Sequence, residues 1–196
     1  MKNIKLIIFD FDGTLADCKE LHQEGFRSAI ASICPEAEFS DEEVEGRPTR
    51  EKIRILHSKG YEFNGDKVNE LKQMHTIKHL NSYIKYNSVL HTQMERLYES
   101  GTKLCIASNA THMFIDASLD ILKIKHFFVK INTASNYPAK PDTTTFLDCM
   151  RFCSAGPRAT LIVEDSPVGV QCARATGARV LVVTDAKDTL NKLKEL

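Results

Sequence analysis

Five short, apolar, β-branched runs punctuate the chain: Ile4–Phe9, Lys103–Ala107, Phe127–Ile131, Thr160–Val163 and Val180–Val183. Most are continuous rather than alternating, the pattern of strands covered on both faces, as in a parallel sheet. Helical stretches come after several of them. Ser166-Pro167 opens one well, with Ser as cap, Pro suited to the first helical position and Gly177 suited to the end. Strands alternating with helices predict an α/β fold with a doubly wound, Rossmann-like parallel sheet.

The stretch between the first two runs behaves differently. Residues 15–86 contain no convincing strand and read as helices around Lys19–Ser32, Pro48–Ser58 and Asp66–Tyr83, with Asp41-Glu42-Glu43 as the acidic first turn of a short helix capped by Ser40. The expected organisation is a core of residues 1–14 and 87–196, with residues 15–86 inserted as a helical cap. A length of 196 residues suits one core with an insertion better than two full domains.

Composition excludes several classes. Lys plus Arg equals 26 and Asp plus Glu equals 26, a balance that argues against nucleic acid as a partner. No apolar run approaches the roughly 20 residues needed to span a bilayer, so no membrane partner is expected. The N-terminal MKNIKLIIFDFDG is broken by aspartates and does not read as a signal peptide, so a cytoplasmic protein is expected. Cys18, Cys34, Cys105, Cys149, Cys153 and Cys172 are scattered without a C-x-x-C and read as buried free thiols.

Ligands in open α/β sheets bind at the carboxyl ends of the strands, so the residues just past each run are informative. The first run ends in Asp10-Phe11-Asp12, the second in Ser108-Asn109 and the fourth in Glu164-Asp165-Ser166, while Lys140-Pro141-Asp142 comes after the third. Carboxylates converging on one rim need a cation. An all-oxygen set without His or Cys suits Mg²⁺. Lys140 adds a second positive charge and Ser108 a hydroxyl donor, so the rim is built for an anion, most simply a phosphate. Alone, Asp before Gly-Thr is a turn former, Ser108-Asn109 a helix cap and Lys140 a solvated loop lysine; their company argues otherwise.

These residues resemble the haloacid dehalogenase superfamily, in particular its helical-cap phosphatases and β-phosphoglucomutase-like members. FDFDGTLAD resembles the first motif, IASNA the second, AKPDTTTF the third and VEDSPVGVQCARATGARVLVV the fourth. The resemblance implies Asp10 as nucleophile, forming an aspartyl-phosphate, and Asp12 as general acid and then base. It implies Mg²⁺ held by Asp10, the Asp12 carbonyl and Asp165, with Glu164 close by, and Ser108 and Lys140 gathering the phosphoryl oxygens. Thr14 and Asn109 join the substrate-binding set. In the insertion, Gly46, Arg47 and Arg50 resemble the cap loop that faces substrate in relatives; the alternative is arginines paired to Glu45 or Glu51.

The function this implies is a Mg²⁺-dependent phosphatase acting on a small phosphorylated metabolite. A β-phosphoglucomutase-like phosphomutase is the alternative within the same chemistry, and a non-catalytic binding protein the alternative outside it. A dehalogenase has no need of Asp12. A phosphonatase needs a cap lysine, for which Lys52 is the nearby candidate, with nothing in the sequence marking it as desolvated. His75 and His79 lie one helical turn apart but lack a third ligand, and read as a solvated helix face. A Pro-Gly turn common before the second motif's helix is replaced here by YNSVLHTQMERL.

Overall fold

The apolar runs become the strands of a single sheet. A computed structural model describes residues 4–44 and 47–195. Its strands are β1 (Leu6–Phe9), β2 (Lys103–Ser108), β3 (Phe128–Thr133), β4 (Thr160–Glu164) and β5 (Arg179–Val182). All neighbours are parallel and the order is β3-β2-β1-β4-β5. The four residues of β1 and the five of β4 are buried throughout, which is why their sequences run apolar without alternation. β5 departs from that expectation: as an edge strand it is partly exposed along its length.

Helices α1 (Lys19–Ile33), α2 (Asp41–Val44), α3 (Thr49–Ser58) and α4 (Gly65–Tyr83) lie between β1 and β2, with α5 (Ser88–Glu99) leading into β2. α6 (His112–Leu122), α7 (Thr144–Phe152), α8 (Pro167–Ala175) and α9 (Ala186–Lys194) come after the later strands. Several begin for a legible local reason. The Asn87 side chain accepts from Val89 and Leu90 to start α5, where the Pro-Gly turn is missing. Ser166 accepts from Gly169 to start α8, which Gly177 closes at a φ of 76°. Ser40 N donates to Glu43 Oε2 at 2.8 Å, the reverse half of a capping box. The N-cap of α6 is Thr111 rather than Ser108-Asn109, because β2 keeps Ser108 as its last residue.

The chain forms two compact units, Met1–Cys18 with Ile84–Leu196, and Lys19–Tyr83. A tight turn keeps the residues after β1 with the sheet: Leu15 N donates to Phe11 O and Gly13 N to Ala16 O, both at 2.8 Å. Each unit has its own core. In the sheet unit Leu6, Ile8, Cys105, Phe146, Cys149, Ile162 and Cys172 pack together, and in the helical unit Phe26, Ile30, Val44, Leu56 and Val68 do so. All six cysteines are buried and free. Among the described residues no helix is long and apolar enough to cross a membrane.

Candidate active site

The chain runs outward from β1 to β2 and β3 on one side, then returns to β4 and β5 on the other, so strand order reverses at β1. Such a switch point opens a crevice beyond the strand ends. β1 and β4 are paired to Phe9↔Val163, and Asp10 N donates to Val163 O at 2.9 Å. Asp10 and Glu164 are therefore neighbours one step further along. The same register carries Asp165 to the rim beside them. Gly13, at a φ of +86°, leaves it room, since a Cβ there would overlap the Asp165 carboxylate.

Lys140 reaches this point from the loop between β3 and α7. Its Nζ donates to Asp10 Oδ1 at 2.6 Å and also to Glu164 Oε1. Lys140 and Glu164 are 6% and 0% exposed, so three ionisable groups meet almost without water. The Asp10 carboxyl is raised to about 8: burial pushes it up first, Lys140 opposes the rise, and Glu164 and Asp165 add to it. Burial also opposes the charge on Lys140, but Asp10 and Glu164 outweigh it and hold the lysine above its usual range. One lysine does not balance three carboxylates. Among the described residues Asp10, Glu164 and Asp165 form the one group of this kind that could hold a metal, with oxygens within 4.8 Å of one another. That oxygen-only set fits a hard divalent cation such as Mg²⁺.

The remaining candidates from the sequence are spread over both units. Asp12 sits in the turn after β1, where its Oδ1 accepts from Cys18 N at 2.7 Å. Ser108 is buried at the end of β2, and its Oγ accepts from Ala110 N at 3.2 Å. Asn109 grips the Lys140 backbone: its Oδ1 accepts from Lys140 N at 2.8 Å and its Nδ2 donates to Lys140 O at 3.5 Å. Thr14 is fully buried, with no hydrogen-bond partner for its hydroxyl among the described residues. Gly46 and Glu45 lie outside the described residues. In the helical unit, exposed Arg47 is paired with Glu51, and Arg50 is exposed on the first turn of α3. His75 and His79 stack at 4.4 Å on α4, and no metal-type cluster includes them among the described residues.

Two things escaped the sequence. Lys52 is buried, 5% exposed, with its Nζ 5.2 Å above the Phe26 ring, a desolvation that nothing in the sequence marked. The buried face of α3 (Lys52, Ile53 and Leu56, the first two lying four and three residues before the last) carries it inward. Glu164 reads in sequence as one more acid on the rim, yet it also lies under α8, its Oε2 accepting from Ser166 Oγ at 3.2 Å.

A doubly wound parallel sheet with a buried acidic cluster and one lysine at its switch point defines an α/β enzyme with an anion-directed centre. The chain belongs to the haloacid dehalogenase-like hydrolase family, whose model matches residues 7–183. It is similar to the protein CbbY of Rhodobacter capsulatus, 26% identical over 193 residues, covering 91% of this chain and 85% of the relative. It is also similar to a phosphorylated carbohydrates phosphatase of Thermotoga maritima, 26% identical over 178 residues, covering 89% of this chain and 82% of the relative. Among solved structures, CbbY from Rhodobacter sphaeroides in complex with phosphate superposes with a TM-score of 0.76 at 21% identity. That match covers 92% of this chain and 86% of the other, a likeness of fold. The named relatives include phosphatases, and the family to which the chain belongs is one of hydrolases.

Proposed function

We propose that this chain is a Mg²⁺-dependent phosphatase that hydrolyses a small phosphorylated metabolite through an aspartyl-phosphate on Asp10. The observation that carries the reading is the Lys140 ammonium bonded to both Asp10 and Glu164, with Asp165 in the same cluster. Mg²⁺ would be held by Asp10, Asp165 and the Asp12 carbonyl, near Glu164, and it supplies charge neutralisation for the phosphoryl oxygens. Glu164 spends one oxygen on Lys140 and the other on Ser166, so in this reading it fixes the lysine.

Asp10 attacks phosphorus in line as the bond to the leaving oxygen breaks, and Asp12 gives that oxygen its proton. Asp12 then takes a proton from water as the water displaces Asp10 from phosphorus, releasing inorganic phosphate. Lys140 and Ser108 hold the equatorial oxygens throughout, so positioning and electrostatics supply most of the rate. The helical unit serves as a cap that selects the substrate, with Arg50 as its anion-holding group. Buried free thiols suit the reducing cytoplasm.

The test is phosphate release from a panel of sugar phosphates, nucleotides and phosphoglycolate. The wild-type protein should turn over at least one of them with Mg²⁺, lose activity in chelator, and lose it entirely as Asp10→Asn. Retained turnover in Asp10→Asn overturns the covalent step, full activity in chelator overturns the metal, and isomerisation in place of release makes the protein a phosphomutase.

A further inference from the structure

Lys140 poses a problem of support. Residues Ala134, Ser135, Asn136, Pro138 and Ala139, which lead to it from β3, are all exposed, yet Lys140 is buried. An exposed segment has many conformers, and few of them deliver an ammonium to 2.6 Å from Asp10. Asn109 holds the Lys140 backbone on the β2 side. Something must hold the other side.

Tyr137 is the one residue between Ala134 and Ala139 that is not exposed. Its hydroxyl donates to Asp148 Oδ2 on α7 at 2.8 Å. The same oxygen accepts from Asn132 Nδ2 and from Lys130 Nζ, each at 3.1 Å, both on β3. Asn132 is 1% exposed and also donates to Thr145 O at 2.9 Å, tying β3 to the first turn of α7. Burial acts to raise the Asp148 carboxyl, but the bonds from Tyr137, Lys130 and Asn132 outweigh it and hold the group below the ordinary carboxylate range. Asp148 is thus a full anion, and the bonds it accepts are charge-assisted. Strand and loop side chains meet at this oxygen, on the helix into which the loop leads, beside the turn in which Tyr137 N donates to Thr133 O at 3.1 Å.

We propose that Tyr137 and Asp148 are positioning residues for Lys140: their hydrogen bond, anchored to β3 through Asn132, keeps the loop in the one arrangement that places the ammonium on the phosphoryl site. The inference rests on the reading of Lys140 as a phosphoryl-holding group. Neither residue touches substrate; both act through the lysine.

The test is a double-mutant cycle read by binding. Inorganic phosphate is titrated calorimetrically, with saturating Mg²⁺, into the full chain as wild type, Tyr137→Phe, Lys140→Ala and the double variant. Tm and the kcat and KM for an aryl phosphate are measured alongside. Tyr137→Phe should weaken phosphate binding by about tenfold, the worth of a hydrogen bond to a charged group, and lower kcat, with only a small fall in Tm. In the Lys140→Ala background it should cause no further loss. Asp148→Asn should repeat the Tyr137→Phe pattern, and if it fails to fold, Tyr137→Phe, which removes one oxygen, still decides. Unchanged phosphate affinity in Tyr137→Phe, or a second full loss in the double variant, overturns the inference. If Lys140→Ala alone binds phosphate as wild type does, the phosphoryl-holding reading falls, and the inference with it.

Discussion

In the proposed mechanism Asp10 must be both buried and charged, and the two demands oppose each other. Its carboxyl is pushed up to about 8 from an ordinary 3.8, first by burial. Linkage sets the sign of the consequence. Between those two values the folded protein keeps a proton that the unfolded chain releases, so each step up in pH costs stability. A divalent cation favours the ionised form and opposes that loss. The metal-free protein should therefore lose Tm as pH rises from about 4 to about 8, and Asp10→Asn, which cannot ionise, should flatten that slope. Added Mg²⁺ should raise Tm most at the upper end of the window. Thermal unfolding of both proteins across pH, with and without metal, reads this directly. An Asp10→Asn slope as steep as wild type would place the buried proton elsewhere.

Helix α8 shows how an element is shaped around a side chain. Gly169 lies in its first turn, and a Cβ there would overlap the Glu164 carboxylate. The helix N-terminus can thus settle on a buried anion, which its dipole favours, while Ser166 Oγ serves both, accepting from Gly169 N at 3.0 Å and donating to Glu164 at 3.2 Å. Gly169→Ala should cost about 1–3 kcal/mol, as overpacking does, and should lower activity by displacing Glu164 from Lys140. Ser166→Ala should cost about 1 kcal/mol, the loss of a cap. Urea unfolding with parallel phosphatase assays measures both, and a Gly169→Ala protein as stable and active as wild type would mean that the helix simply shifts. The strands, the helices that come between β1 and β2 and the placing of acids just past the strand ends were legible because each is written within a few consecutive residues: an apolar run, a Ser-Pro, an Asp past a strand end. The burial of Lys52, the Tyr137–Asp148 bond and the grip of Asn109 on Lys140 were not, because they join residues distant in sequence through side-chain packing, which has no local period to read. Thr14 shows the converse: motif neighbours placed it with the substrate set, and the tight turn after β1 buries it completely.

At the scale of the whole molecule, the chain divides into a sheet unit and a helical unit, each with its own core, and the proposed function divides the labour in the same way. Chemistry belongs to the sheet unit, where Asp10, Lys140, Glu164 and Asp165 meet. Selection belongs to the helical unit. There Arg47 is already paired with Glu51, which leaves exposed Arg50 as the better anion holder. If selection and chemistry are separable, Arg50→Ala must act unevenly across substrates. A substrate carrying a second phosphate or carboxylate should lose about 1–3 kcal/mol of transition-state binding, the worth of a charged hydrogen bond. An aryl phosphate, which offers Arg50 nothing to hold, should be hydrolysed almost as before. Lys140→Ala should damage both alike, because every substrate presents the same phosphoryl group to it. Steady-state kcat/KM for the two variants on the two substrate types gives four ratios. Equal losses on both substrates for Arg50→Ala would make the arginine a structural residue of α3, and the selector would then have to be sought elsewhere in the helical unit.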